Sequence, residues 1–119
     1  MTSSPHPNST GNGSMQAAVY RGESRLEVES VPVPPIGAGE LLIRVAVCGV
    51  CPTDVKKITD NLLAPPRIYG HETAGVVAAV GQGVHDFRPG DRVVVFHHIP
   101  CKDCFFCRAR VYEIGRAHV

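Results

Sequence analysis

Three cysteines recur at every third residue towards the end of the 119-residue chain, at Cys101, Cys104 and Cys107. A tight loop can wrap thiols at this spacing around one metal ion, and Zn²⁺ readily takes thiolate ligands in a tetrahedral site. An exposed redox loop or a strained local disulfide is the alternative, but either leaves two intervening apolar residues, Phe105 and Phe106, hard to explain. The pattern therefore favours a structural zinc site that lacks one ligand.

A second set of metal-binding residue types lies earlier in the chain. Cys51 is followed by Thr53 and Asp54, and His71 comes twenty residues after that cysteine, with Glu72 directly after it. Thiolate, imidazole and carboxylate are all zinc ligands, and a catalytic site leaves one position open for water or substrate. Only the fold can bring such distant residues together, and a single histidine beside a glutamate is more often a surface or turn residue. Spacing alone therefore makes this the weaker signal.

The composition narrows the class of protein. Hydrophobic residues make up 44% of the chain, enough for one packed core, and the net charge is only +1. That charge gives no electrostatic reason to expect nucleic acid or an anionic membrane as a partner. Without a secretory signal or an apolar run of about 20 residues, we expect a cytoplasmic protein with thiols rather than disulfides. Among these thiols, Cys48 is expected to be buried and inert.

The chain reads as short strands divided by proline and glycine. Residues 1–14 are mostly Ser, Pro, Asn and Gly and are predicted to be a disordered extension, so the folded domain begins near Met15. Alternating or continuous apolar residues predict strands at 16–20, 26–31, 40–48, 73–80 and 92–96, with 40–48 as a core strand. One helix is predicted at 53–59, capped by Thr53. Many short strands with little helix favour a small β-barrel or sandwich.

Several motifs in a fixed order give a specific resemblance. They are 48–54 (CGVCPTD), 70–75 (GHETAG) continuing through Gly81 to Val84, 89–93 (PGDRV), and the cysteine loop at 101–107. From about Met15 to Tyr112 the chain resembles the zinc-containing medium-chain alcohol dehydrogenases, which include polyol and threonine dehydrogenases. The resemblance implies a mainly β fold, a GroES-like twisted β-barrel with short helices.

The resemblance also implies a role for each matching residue. Cys51 and His71 would ligate a catalytic zinc, and Glu72 would lie beside the metal and ligate it in some states. Asp54 would orient His71, and Thr53 would pass the proton of the alcohol outward. The structural zinc would be held by Cys101, Cys104 and Cys107. The parent protein would then oxidise a small alcohol or polyol by hydride transfer to NAD or NADP, as a homo-oligomer.

The chain departs from the family pattern at several places. Lys56 stands where many relatives carry a histidine that extends the proton relay, and Lys102 stands where the cysteine loop often has glycine. The fourth structural cysteine would fall on Gly115 and is absent. No Gly-x-Gly-x-x-Gly motif occurs, so the Rossmann nucleotide-binding domain is missing, and the chain alone is expected to be inactive.

The last seven residues, 113–119, can be encoded by a common sequencing-library adapter read in frame to a stop codon. This predicts a non-native read-through tail after a partial GroES-like domain at 15–112.

Two other classes of function remain open. One is a non-enzymatic zinc-binding GroES-like module, and the other is a thiol redox switch built on the cysteine loop. Zinc-free quinone reductases share the barrel but lack the cysteine loop and the zinc ligands.

Overall fold

The computed structural model describes residues 13–98 and 100–111. The predicted tail at 113–119 and all but the end of the predicted extension at 1–14 lie outside these residues. In chain order the elements are β1 (Ser14–Gly22), β2 (Arg25–Pro32), β3 (Leu41–Gly49), α1 (Pro52–Thr59), β4 (Arg67–Ile68), β5 (Glu72–Val80), β6 (Arg92–Val95) and α2 (Phe105–Arg108). The first strand thus begins one residue before the predicted start of the domain.

The strands form two antiparallel sheets of three strands each. One sheet has the order β2-β1-β4 and the other has the order β3-β5-β6. This confirms the prediction of a mainly β fold with short helices. Within the described residues, however, strand pairing does not close the two sheets into one continuous barrel. Neither helix of the described part of the chain has the length and apolar character of a membrane span.

The start of α1 differs from the prediction. The helix begins at Pro52, and its N-cap is Cys51 rather than Thr53. Proline fits the first helical position because its fixed φ suits the helix and its missing N–H would have had no partner there. The side chain of Asp54 then accepts a hydrogen bond from the backbone N–H of Cys51 at 3.4 Å. This contact fixes the turn on which Cys51 stands.

The predicted core strand at 40–48 is correct as a strand but wrong in its burial. The side chains of Val45 and Val47 are 55% and 61% exposed. β3 pairs with β5 alone among the described strands, and its side chains are only half-buried or exposed. The buried hydrophobic residues among those described are instead Ala17, Val19, Tyr20 and Val77.

A buried tyrosine on β1 contacts the segments of chain that flank the first metal-binding set. The hydroxyl of Tyr20 donates to Oδ1 of Asn61 at 2.5 Å. The ring of Tyr20 lies 5.7 Å from that of Tyr69, which immediately precedes Gly70 and His71. β1 therefore holds both the segment that follows α1 and the segment that leads into β5.

Replacing Val77 by alanine tests where the core lies. Val77 on β5 is 1% exposed, so the change opens a cavity and is expected to lower the free energy of unfolding by about 2 kcal/mol. Val94 on the neighbouring strand is 82% exposed, and Val94→Ala is expected to change it by less than about 0.5 kcal/mol. Urea denaturation of both variants measures the difference, and equal losses would contradict this placement of the core.

Candidate metal centres

Strand register brings the first metal-binding set together. β3 and β5 are antiparallel neighbours, and Gly49 at the end of β3 lies opposite Glu72 at the start of β5. Cys51 follows β3 by two residues, and His71 precedes β5 by one. Gly49 lets the carboxylate of Glu72 lie close against the backbone of β3, because a Cβ at position 49 would displace this side chain. The close pairing of the strands therefore places the thiol beside the imidazole.

The ligand atoms of Cys51, His71 and Glu72 all lie within 4.8 Å of one another. The first two side chains are half-buried, whereas that of Glu72 is exposed. We call these three residues the catalytic-type cluster. Thr53 Oγ1 donates to Cys51 Sγ at 3.1 Å, and its side chain is open to solvent. The cluster thus presents three metal donors of mixed type, with a hydroxyl directly beside the sulfur.

Asp54 lies behind the cluster and is 6% exposed. Its Oδ1 is 3.2 Å from Nδ1 of His71, a contact without ideal hydrogen-bond direction, and this oxygen has no other partner among the described residues. A carboxylate accepts and does not donate, so it favours the proton on Nδ1 and leaves Nε2 as the free electron-pair donor. The buried carboxylate of Asp54 thus lies directly against Nδ1 of His71.

Two histidines that the sequence analysis did not weigh lie beside the catalytic-type cluster. The ring centroids of His71 and His97 are 4.9 Å apart, and those of His97 and His98 are 4.1 Å apart. Desolvation lowers the pKa of His97, and the charges of His98 and His71 lower it further. Their signal in the sequence is a His-His pair that follows the end of β6 after one residue, Phe96. β6 pairs with the end of β5 that His71 precedes. A row of imidazoles thus borders the site.

Lys56, the departure from the family's proton relay, is engaged elsewhere. Its Nζ bonds to Oδ2 of Asp60 at 2.5 Å, one helical turn further along α1. The side chain is 71% exposed. Lys56 therefore provides no contact that would extend a path from Thr53.

The second cluster contains the thiols of Cys101, Cys104 and Cys107, which all lie within 4.8 Å of one another. We call it the trithiol loop. The Sγ atoms of Cys101 and Cys107 are 3.7 Å apart. Backbone N–H groups point at the sulfurs, from Cys104 to Cys101 at 3.4 Å and from Cys107 to Cys104 at 3.5 Å. Lys102 lies in the turn of the loop with a φ of 63°. Glycine suits this position because it adopts such a left-handed backbone conformation without steric cost.

Hydrogen bonding and desolvation shift the pKa values of the first and last thiols of this loop in opposite directions. The backbone N–H groups of Asp103 and Cys104 donate to Cys101 and lower its pKa to about 7. Desolvation raises the pKa of Cys107, and hydrogen bonding to Cys104 raises it further. The loop therefore favours a thiolate first at Cys101.

The prediction that Cys48 is buried is wrong. Its side chain is exposed, although it lies within the apolar run of β3. Its Sγ accepts a hydrogen bond from Thr73 Oγ1 at 3.4 Å. A Cβ at Gly70 would approach this sulfur to 2.7 Å, so the thiol abuts the residue before His71. Cys48 thus belongs to the surroundings of the catalytic-type cluster rather than to the core.

Comparison with known proteins identifies the family to which this fold belongs. The profile described as "Alcohol dehydrogenase GroES-like domain" matches residues 37–117, which is more than half of the chain. The chain therefore belongs to the alcohol dehydrogenase GroES-like domain family.

Curated and solved relatives agree with this family. The chain is 37% identical over 105 residues to the sorbitol dehydrogenase of Bacillus subtilis, with 84% of this chain and 30% of that protein covered. The crystal structure of AibC superposes with a TM-score of 0.82 at 36% identity, covering 98% of this chain and 34% of that one. A thermostable alcohol dehydrogenase from Pyrobaculum aerophilum, solved with bound cobalt and zinc, gives 0.79 at 34% identity, covering 87% and 33%. The chain thus spans about a third of the length of these relatives.

Proposed function

We propose that this chain is the N-terminal zinc-binding catalytic domain of a zinc-dependent alcohol or polyol dehydrogenase. The observation that carries the proposal is the convergence of Cys51, His71 and Glu72 to within 4.8 Å from two different strand ends. A non-enzymatic barrel has no need of such a set with a hydroxyl at its side. The relatives named for sorbitol and alcohol oxidation support the same reaction class.

The residues of the catalytic-type cluster fit a zinc ion. They supply one thiolate, one imidazole and one carboxylate, which leaves a fourth position open in a tetrahedral site. The buried Asp54 Oδ1 faces the imidazole with no other partner, as expected of a carboxylate that supports a ligating histidine. The trithiol loop fits a second, structural zinc through Cys101, Cys104 and Cys107.

Individual residues of the chain would then have separate roles in alcohol oxidation. When bound, zinc supplies a Lewis acid that lowers the pKa of the substrate hydroxyl. Thr53 accepts the proton of that hydroxyl and releases its own to water, because Oγ1 is both next to Cys51 and open to solvent. His71 would ligate the zinc ion, held in place by Asp54. NAD or NADP, held by residues outside this sequence, would accept the hydride from the substrate carbon.

The nicotinamide cofactor requires residues outside this sequence, since no Gly-x-Gly-x-x-Gly motif occurs in it. We therefore propose that catalysis belongs to a longer protein and that the 119-residue chain alone oxidises no alcohol. In that longer form we propose a cytoplasmic homo-oligomer acting on a small alcohol or polyol.

Sequencing the source locus past the codon for Tyr112 tests this assignment. We expect a cysteine codon at position 115, followed downstream by a strand, a Gly-x-Gly-x-x-Gly turn and a helix. Genomic DNA that encodes Gly115 and continues to a stop codon after Val119 would instead indicate a free-standing GroES-like zinc module. The enzymatic proposal would then have to be withdrawn.

Replacing Asp54 by asparagine is expected to weaken zinc binding at the catalytic-type cluster about 10- to 100-fold, because the amide no longer holds His71 in its ligating tautomer. Competition with a zinc-chelating dye measures the affinity, and the trithiol loop serves as an internal reference. Asp60→Asn is the matched control, because this exposed carboxylate on the same segment contacts Lys56 rather than a ligand. Equal affinities in the two variants would contradict the positioning role of Asp54.

A further inference from the structure

A half-buried lysine on α1 has no carboxylate partner among the described residues. Lys57 lies in the last turn of this helix, and the ion pairs of the described residues do not include it. Its neighbour Lys56 is 71% exposed and bonds to Asp60. A lysine buries its methylene stem along the protein surface, but its ammonium group needs water or an anion. Lys57 therefore presents an unpaired positive charge.

The geometry of α1 directs this charge towards the catalytic-type cluster. Lys57 follows Thr53 by four residues and Asp54 by three, so these residues lie on one face of the helix. Thr53 Oγ1 donates to Cys51 Sγ at 3.1 Å, and Asp54 is buried against His71. The Cα–Cβ bonds of a helix tilt towards its N-terminus, which is the end at which Cys51 lies. The stem of Lys57 therefore leans towards the residues that would hold the metal and the substrate hydroxyl.

The electrostatics of a neighbouring histidine agree with this position. The pKa of His97 is lowered by desolvation, then by the charges of His98 and His71, and also by the charge of Lys57. The ring of His97 lies 4.9 Å from that of His71. The carboxylate of Glu72 acts on His97 in the opposite direction, but this group is itself one of the three metal donors. The charge of Lys57 is thus felt at the border of the cluster, beside the metal donors.

We propose that Lys57 binds an anionic group of the substrate, so that the alcohol oxidised at this site is a small hydroxy acid. This inference rests on the proposed dehydrogenase function and names the substrate class of the same site. The ammonium group is a compact charge on a flexible stem, and its single positive charge complements a carboxylate. A β-hydroxy acid carries its carboxylate one methylene away from the reacting carbon, where this stem can follow it. Lys57 thus selects the substrate by charge and takes no part in the proton transfer.

Binding to the zinc-loaded 119-residue chain tests this role without turnover. β-Hydroxybutyrate is titrated against the chain and followed by NMR, with β-hydroxybutyramide as an uncharged ligand of the same shape. We expect saturable binding of the acid, at least about tenfold tighter than that of the amide, because the hydrogen bond to a charged group is lost in the amide. Lys57→Gln is expected to weaken binding of the acid to the same extent. Equal binding of the acid by the wild-type chain and by Lys57→Gln would overturn the proposal.

Lys56→Gln is the matched control and should bind the acid like the wild-type chain, because Lys56 is paired with Asp60. The comparison of acid and amide uses the wild-type chain alone, so it does not depend on the folding of a variant. Equal affinity for these two ligands would also contradict the proposal. A larger loss for glycerol phosphate than for the acid in Lys57→Gln would assign the charge to a phosphate and refute the class named here.

Kinetics of the longer protein separate this inference from the dehydrogenase function. We expect kcat/KM to be higher for the acid than for the amide, and Lys57→Gln to remove this preference through KM rather than kcat. Oxidation of the amide as fast as the acid would refute the substrate class and leave the dehydrogenase function intact. Oxidation of no alcohol, with binding of the acid by the chain as predicted, would count against the dehydrogenase function alone.

Discussion

Replacing His71 by alanine is expected to weaken zinc binding at the catalytic-type cluster by more than about 100-fold, because removal of an outer partner of a ligand already costs 10- to 100-fold. His71 is the only nitrogen donor of this cluster, and the loss leaves Cys51 and the exposed Glu72. Binding at the trithiol loop should not change. Isothermal titration of the metal-free chain with zinc would show one strong site lost and one retained.

The control for this change is His85→Ala, which removes an exposed histidine that belongs to neither cluster. Its zinc titration should match that of the wild-type chain. An unchanged titration in His71→Ala would mean that the convergence of these side chains does not reflect a metal site. A loss of both sites would instead indicate that the variant no longer folds, which circular dichroism of the same sample reveals.

Replacing Thr53 by alanine in the longer protein is expected to lower alcohol turnover about 100-fold or more, the usual range for a lost proton-transfer group. Substrate binding should change little, because the hydroxyl acts on the proton rather than on the carbon skeleton. Thr53→Ser keeps the hydroxyl and is expected to retain most of the turnover. Steady-state kinetics of the three proteins measures kcat and KM separately.

The matched control for Thr53 is Thr59→Ala at the other end of α1. The hydroxyl of Thr59 is exposed and bonds to the carbonyl of Lys56 at 3.3 Å, away from the catalytic-type cluster. Its loss should leave kcat unchanged. If Thr53→Ala and Thr59→Ala behaved alike, the proton path through Thr53 would be wrong, although zinc binding by the cluster would not be affected.

The sequence could predict the features that depend on neighbouring residues. The trithiol loop is one of these, since three cysteines spaced by three residues share one turn of chain. Apolar alternation likewise placed five of the six strands to within about two residues. β4 was missed because it has only two residues, Arg67 and Ile68, and is defined by pairing with β1 rather than by its own pattern.

Features that depend on distant contacts could not be read from spacing. The meeting of Cys51 with His71 follows from the register of β3 against β5, and only the family resemblance suggested it beforehand. The exposure of Cys48 and of Val45 depends on what packs against the faces of β3, which an apolar run does not reveal. The row of His97 and His98 beside His71 arises in the same way, from the pairing of β6 with β5.

The most direct test of the account is alcohol oxidation by the longer protein recovered from the source locus. Reduction of NAD or NADP is followed with a panel of small alcohols and polyols, in parallel for the wild-type protein and for His71→Ala. The account predicts alcohol-dependent reduction by the wild-type protein and only the background rate in the variant. No reduction with any alcohol by the zinc-loaded wild-type protein, or equal rates in the two proteins, would contradict it.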